Sequence, residues 1–200
     1  MEILYQVHQG LYVNLTNRCS SACTFCLRQS MDSMGESGSL WLEREPTARE
    51  VIAEFDKWDL SRFREIVFCG FGEPTCALPV LLEVAGWLKA QNAPPIRVNT
   101  NGQGSLIAGR DISGELAACV DTVSVSLNHP DRSQYQALVR SRFGEEAFPA
   151  MLDFAKRCAQ AGIRVVMTTV DTTITHEEED FCRAICRVVG ADYRIRPWEE

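Results

Sequence analysis

The chain alternates short β-branched or apolar runs with longer segments in which apolar residues recur at helical spacing. The first kind of segment predicts strands and the second predicts helices, and their regular alternation is typical of βα units around a parallel sheet. Six strands are predicted, at residues 11–16, 65–69, 96–101, 122–127, 163–170 and 192–197. Helices are predicted at residues 47–58, 78–91, 113–120, 131–139, 147–161 and 175–189.

Two helix starts carry a stronger signal than periodicity alone. Thr47 is followed three residues later by Glu50, and Thr175 is followed in the same way by Glu178. This spacing predicts a capping box, in which each side chain bonds a backbone N–H group of the other residue. We therefore expect helices to begin directly after Thr47 and Thr175.

Alternation within the strands predicts which face each side chain takes. Val13 and Leu15, together with Val123, Val125 and Leu127, form apolar faces suited to packing beneath helices. The opposite faces are polar and would point inward; they carry Asn14, Thr16, Asn99, Asn101, Ser124, Ser126, Arg194 and Arg196. Because a closed barrel fills its interior with apolar side chains, this polar face predicts an open cavity. The expected fold is a single α/β domain over residues 1–200, a partial (β/α)6 TIM-type barrel.

Composition narrows the function classes. The chain has 200 residues, 46% of them hydrophobic, and a net charge of −7, which disfavours a nucleic-acid surface. No apolar run approaches the roughly 20 residues of a membrane span, and the first ten residues lack the pattern of a signal peptide. We therefore expect a cytoplasmic protein, in which the nine cysteines are metal ligands or buried side chains rather than disulfides.

Three of these cysteines follow the first predicted strand, in the sequence NRCSSACTFC. Cys19, Cys23 and Cys26 have the spacing C-x3-C-x2-C, which lets three thiolates hold three irons of a cubane and leaves the fourth iron open. A small molecule with an amino and a carboxylate group, such as S-adenosylmethionine (SAM), can chelate that iron. The alternative is a zinc site or inert thiols, but zinc requires a second ligand pair, which the spacing does not provide.

This cysteine loop, with Phe25 before its third cysteine, resembles the signature of the radical SAM superfamily. The segments IVFCGFGEPT, VNTNG and SVSLN, each at a predicted strand end, resemble further motifs of that superfamily. The resemblance implies a [4Fe-4S] cluster at the carboxyl-terminal mouth of the barrel, ligated by Cys19, Cys23 and Cys26. It also implies that SAM is oriented by Phe25, which would pack near the adenine, and by Gly72, Glu73, Asn99, Thr100 and Ser126.

More narrowly, the segments GLYVNLTNRC, SLWLEREPT and GRDI resemble the small TatD-associated radical SAM family. That resemblance implies a functional link to a TatD-type hydrolase and an electron donor such as flavodoxin or ferredoxin. The expected activity is reductive cleavage of SAM to a radical that acts on an unidentified small molecule. Two alternatives remain open: an activase that installs a radical on a protein partner, and a non-catalytic iron-sulfur or zinc protein.

Two further pairs of residues have interpretations of their own. Cys182 and Cys186 lie four residues apart in an apolar helical stripe, which indicates a structural role. Arg194 and Arg196 alternate with Tyr193, Ile195 and Pro197, which we expect to pack outward. The arginines would then face the cavity and bind a carboxylate or phosphate of the substrate. A frayed chain end with both arginines in solvent is the alternative.

Overall fold

The computed structural model describes residues 2–34 and 37–197. In this part of the chain, strands β1 to β7 form one sheet whose spatial order equals their order in the sequence. Strands β2 to β7 are all parallel, and β1 pairs antiparallel with β2. Their bounds are Leu4–Val7, Gly10–Val13, Glu65–Phe68, Ile96–Thr100, Thr122–Ser126, Arg164–Val170 and Asp192–Arg196.

Helices connect the parallel strands, as the alternating pattern predicts. Helices α1 to α7 span Ala48–Phe55, Leu78–Ala90, Gly104–Ala108, Ser113–Ala117, Arg132–Val139, Ala147–Gln160 and His176–Val189. Both capping boxes are present, with Thr47 capping α1 and Thr175 capping α7. No helix in the described residues is long and apolar enough to cross a membrane.

The outer face of the sheet packs against the helices. Val13, Val98, Val123, Val125 and Met167 are fully buried there, in one core with side chains of α1, α2, α4, α5, α6 and α7. This confirms the predicted apolar faces of the strands. Burial of this face on one layer of helices leaves the other face of the sheet to line the barrel interior.

The barrel interior holds a cavity of about 760 Å³. The sheet order begins at β1 and ends at β7, which do not pair with each other in the described chain, so the barrel is partial. Polar side chains of the inner face line the cavity, among them Asn99, Ser124, Ser126, Thr168 and Arg194. The fold class expected from the sequence, a partial barrel with an open polar interior, is thus confirmed.

The structure corrects the sequence prediction in several places. Asn14 and Thr16 are not among the residues that line the cavity, because β2 ends before them. Strand β1 was not predicted, because four residues ending in a tight turn at His8 (φ 50°) carry little periodic signal. Helix α3, only five residues long, was missed for the same reason. Pro197 was expected to pack outward but lines the cavity, since β7 ends at Arg196 and the alternation of faces ends with it.

Candidate active site

The cysteine loop leaves the carboxyl end of β2 and packs against the end of α5. The backbone N–H of Ala22 donates to the carbonyl of Val139 at 3.0 Å, and that of Thr24 donates to Leu138 at 2.9 Å. Arg28 lies on the other side of the loop, where its guanidinium donates to the carbonyl of Asn17 at 3.2 Å. These contacts hold the loop at the rim, and Cys19, Cys23 and Cys26 all line the cavity.

The three thiols share one electrostatic environment. Burial raises the pKa of Cys23 to about 12, and the neighbouring thiols of Cys26 and Cys19 act in the same direction. Burial likewise raises the pKa of Cys19, against a hydrogen bond that its sulfur accepts from the Ser21 N–H. Without a metal the thiols of Cys19 and Cys23 therefore stay protonated, and binding to a metal centre would deprotonate them.

The chemistry of the donor set fits an iron-sulfur cluster. A cubane takes its thiolates at separate corner irons, so its ligands stand farther apart than those of zinc. Cys19, Cys23 and Cys26 all line one cavity, and three thiolates are the ligands that a cubane with one open iron requires.

The GFGEP turn, Gly70 to Pro74, follows β3 and lies directly against the start of the cysteine loop. The backbone N–H of Glu73 donates to the carbonyl of Arg18 at 2.8 Å. A Cβ atom at Gly72 would lie 2.1 Å from the carbonyl oxygen of Thr16 and 2.7 Å from that of Arg18. Only glycine lets the two segments approach so closely. Phe71, next to Gly72, packs edge-on against Trp41 with ring centroids 5.2 Å apart.

Glu73 is a buried carboxylate, 3% exposed, that reaches the carboxyl end of β4. Its Oε1 accepts hydrogen bonds from the hydroxyls of Thr75 and Thr100 at 2.7 and 2.8 Å, and its Oε2 accepts one from the Asn101 N–H at 2.7 Å. Burial raises its pKa, and these hydrogen bonds oppose the shift. No ion pair among the described residues includes Glu73, so its charge lacks a cationic partner.

The other residues predicted to bind SAM occupy the cavity wall. Phe25, Gly72, Asn99, Thr100 and Ser126 all line it, so the structure brings the whole predicted set together with the cysteines. Thr100 differs from the others, because the residue is only 4% exposed. Its hydroxyl also accepts a hydrogen bond from the Gly102 N–H at 3.0 Å. Its hydroxyl supports the Glu73 carboxylate.

The arginines of the last strand lie where the alternation of faces predicts. Both Arg194 and Arg196 line the cavity, with Arg194 exposed and Arg196 half-buried. The location expected from the sequence is confirmed, and their contact with a substrate anion stays a prediction. Cys182 and Cys186, by contrast, are 0% and 1% exposed in the core, which confirms their structural role.

Sequence reasoning missed two features of the cavity. Arg97 pairs with Glu65 inside the barrel, with its Nη2 2.7 Å from Oε1, and this hydrogen bond lowers the pKa of Glu65. The period-2 pattern that places Asn99 and Asn101 inward would also have placed Arg97 there. Gln103, fully buried beneath the cysteine loop, has no such signal, because its position depends on contacts between distant segments.

A partial barrel with three cysteines at its carboxyl-terminal rim defines a class of iron-sulfur enzymes, and sequence comparison agrees. Residues 13–185 match the Radical SAM superfamily, and the chain belongs to that superfamily. Members of this superfamily are enzymes whose cofactors are a [4Fe-4S] cluster and SAM, so the chain is a radical SAM enzyme.

Among curated relatives, GTP 3',8-cyclase 2 of Mycobacterium tuberculosis is 34% identical over 139 residues, which are 68% of this chain and 35% of the relative. GTP 3',8-cyclase of Rhodococcus opacus is 26% identical over 160 residues, covering 79% of this chain and 42% of the relative. The matched part of the chain therefore covers less than half the length of these relatives.

Solved structures share the fold. Streptococcus suis SuiB bound to S-adenosylmethionine superposes with a TM-score of 0.68 at 17% identity, covering 94% of this chain and 40% of SuiB. At that identity the likeness supports the barrel architecture alone.

Proposed function

We propose that Cys19, Cys23 and Cys26 ligate the [4Fe-4S] cluster and that the chain binds SAM in the cavity beside them. When bound, the cluster and SAM supply a reductively generated 5'-deoxyadenosyl radical that abstracts a hydrogen atom from a substrate. The observation that supports this most strongly is the convergence of the three thiols and the buried Glu73 on one cavity.

The roles of the chain's own residues follow from their chemistry. The Glu73 carboxylate, buried without a cation, would bind the methionyl ammonium by a charge-assisted hydrogen bond. Thr100 would hold that carboxylate in place, since its hydroxyl already donates to Oε1. The remaining contacts with SAM would come from the backbone at Gly72, the side chains of Asn99 and Ser126, and the ring of Phe25 against the adenine.

Anaerobic reconstitution with iron and sulfide tests the ligand assignment. The protein should become brown, bind about four irons per chain and give a reduced-cluster EPR signal that changes on addition of SAM. Alanine at Cys19, Cys23 or Cys26 should abolish that signal. A colourless protein that binds one zinc ion tightly and takes up neither iron nor sulfide would exclude the cluster.

For the substrate, we propose a small anionic molecule, such as a nucleotide. The cavity is lined by five arginines and two glutamates, although the chain as a whole carries −7. Of these arginines, Arg97 pairs with Glu65, and Arg194 and Arg196 lie on the last strand and line the same cavity. Guanidinium groups bind carboxylate and phosphate in bidentate fashion. The relatives named as GTP 3',8-cyclases also support a phosphorylated substrate.

Equilibrium binding to the reconstituted protein tests this substrate class. GTP should bind more tightly than guanosine, and Arg194→Gln should remove at least a factor of ten of that preference. Arg187→Gln, on α7 and outside the cavity lining, is the matched control and should leave it unchanged. Equal binding of GTP and guanosine, or no effect of Arg194→Gln, would contradict a phosphate contact there and favour a neutral small molecule or a protein substrate.

We also propose that flavodoxin or ferredoxin donates the electron and that the enzyme works with a TatD-type hydrolase. The second proposal depends on the resemblance of GLYVNLTNRC, SLWLEREPT and GRDI to the TatD-associated family. Replacing dithionite by reduced flavodoxin or ferredoxin tests the donor. Comparing the metabolites of strains that lack this protein or the hydrolase tests the link, since a shared pathway should give overlapping changes.

A further inference from the structure

A buried amide lies beneath the cysteine loop and binds four hydroxyl groups. Gln103 is 0% exposed, and its Oε1 accepts hydrogen bonds from the hydroxyls of Ser20 and Ser141, both at 2.8 Å. Its Nε2 donates to the hydroxyls of Ser21 and Tyr135 at 3.2 and 3.3 Å. Both residues between Cys19 and Ala22 are therefore fixed by one side chain.

Asn101 connects this amide to a cysteine sulfur. Its Oδ1 accepts a hydrogen bond from the backbone N–H of Gln103 at 2.9 Å, which fixes the orientation of the side-chain amide. Its Nδ2 then donates to the Ser20 hydroxyl at 2.9 Å and points at the Cys19 sulfur at 3.8 Å. The backbone N–H of Ser21 is a second donor to the same sulfur, at 3.4 Å.

Donors aimed at a ligand sulfur have a known electrostatic effect on a cluster. Reduction adds negative charge to the cluster and its thiolates, and an N–H dipole stabilises the more negative state. Hydrogen bonds to the sulfurs therefore raise the reduction potential, and their loss makes the cluster harder to reduce.

We propose that Asn101 is a positioning residue that tunes the reduction potential of the cluster through the Cys19 sulfur, with Gln103 holding it in place. The inference rests on the proposed function, because it takes Cys19 as a cluster ligand. It assigns to Asn101 a role separate from SAM binding, and it explains why the buried Gln103 contacts Asn101 and the loop at once.

An EPR-monitored redox titration of the reconstituted protein tests this role. Asn101→Ala should keep about four irons per chain but be about tenfold harder to reduce, a shift of about 59 mV to lower potential for a one-electron couple. Gln136→Ala is the matched control, because it also removes an amide hydrogen bond near the loop, to the Ser141 carbonyl at 3.0 Å. It removes no contact with a sulfur, so the reduction potential of its cluster should equal that of the wild type.

Asn101→Asp is the second variant, for use if Asn101→Ala fails to hold a cluster. It keeps the acceptor for the Gln103 N–H but loses the donor amide, so it should also lower the reduction potential. A wild-type potential in either loaded variant would overturn the assignment. A wild-type protein that takes up no cluster would instead contradict the proposed function, so the two failures are distinguishable.

Discussion

A methyl group on Gly72 would lie 2.1 Å from the carbonyl oxygen of Thr16, so the GFGEP turn and the cysteine loop are in backbone contact. We predict that Gly72→Ala lowers the stability by about 3 kcal/mol, because two backbone segments must move apart. It should also lower the iron content after reconstitution. Gly86→Ala, at a helix position with open space around the new methyl group, should be neutral or stabilise by up to about 1 kcal/mol.

Thermal unfolding and iron analysis of both variants check this contact. Equal stability of Gly72→Ala and the wild type would show that the two segments are not packed as described.

The second prediction concerns the charge of Glu73. Glu73→Gln should weaken SAM binding at least tenfold, about 1.4 kcal/mol, because the neutral amide lacks the negative charge that pairs with the ammonium. The iron content should stay at the wild-type value, since Glu73 is not a proposed ligand. Equilibrium binding of SAM to the reconstituted variant measures the effect.

Glu179→Gln is the control for this experiment, since Glu179 is also a buried carboxylate, 6% exposed, but lies on α7 outside the cavity lining. It should leave SAM affinity unchanged. Unaltered affinity in Glu73→Gln would place the ammonium elsewhere in the cavity.

Several of these features follow from sequence pattern alone, and others do not. The period-2 alternation of Val123 and Val125 with Ser124 and Ser126 predicts both the strand and its inner face, because one side must pack on helices. The spacing of the cysteines likewise predicts that their thiols share a site. Patterns of this kind are local, so a single stretch of sequence contains them.

Contacts between distant segments have no such pattern. Gln103 reaches Ser20 across 83 residues and Ser141 across 38, and neither separation is visible in a periodicity. The hydrogen bond from Thr100 to Glu73 was hidden for the same reason, because neighbouring strands of a parallel sheet are far apart in the chain. Strand β1 was hidden for another reason: a four-residue antiparallel strand lies outside the βα repeat that organises the rest of the sheet.

The third prediction is a pH dependence at the ion pair inside the barrel. The hydrogen bond from Arg97 lowers the pKa of Glu65 below its ordinary value, so the pair stabilises the folded state above that ordinary value. This stabilisation is lost as the pH falls through the lowered pKa. Because the Glu65 side chain is 37% exposed and solvent screens the pair, Glu65→Gln should cost only about 1 kcal/mol at pH 7.

Urea unfolding of wild type and Glu65→Gln across the acid range measures the difference. It should shrink towards zero at the lowest pH, where Glu65 is protonated in both states. A difference that does not change with pH would mean that the pair contributes through packing alone.

The fourth prediction separates structural cysteines from ligands. Cys182 is fully buried, and burial raises its pKa to about 12, so its thiol is unreactive. Cys182→Ala should lower the stability by about 1 kcal/mol through lost apolar burial, with the iron content unchanged. Loss of iron in Cys182→Ala would mean that residues outside the cysteine loop also ligate the cluster.

Formation of 5'-deoxyadenosine decides between a radical SAM enzyme and a protein that merely holds metal. The reconstituted protein, given SAM and dithionite without oxygen, should release 5'-deoxyadenosine and methionine in equal amounts even without substrate. Alanine at Cys19, Cys23 or Cys26 should abolish both products, whereas Cys182→Ala should retain them. A fully loaded wild-type cluster that leaves SAM intact under these conditions would contradict the function proposed for this site.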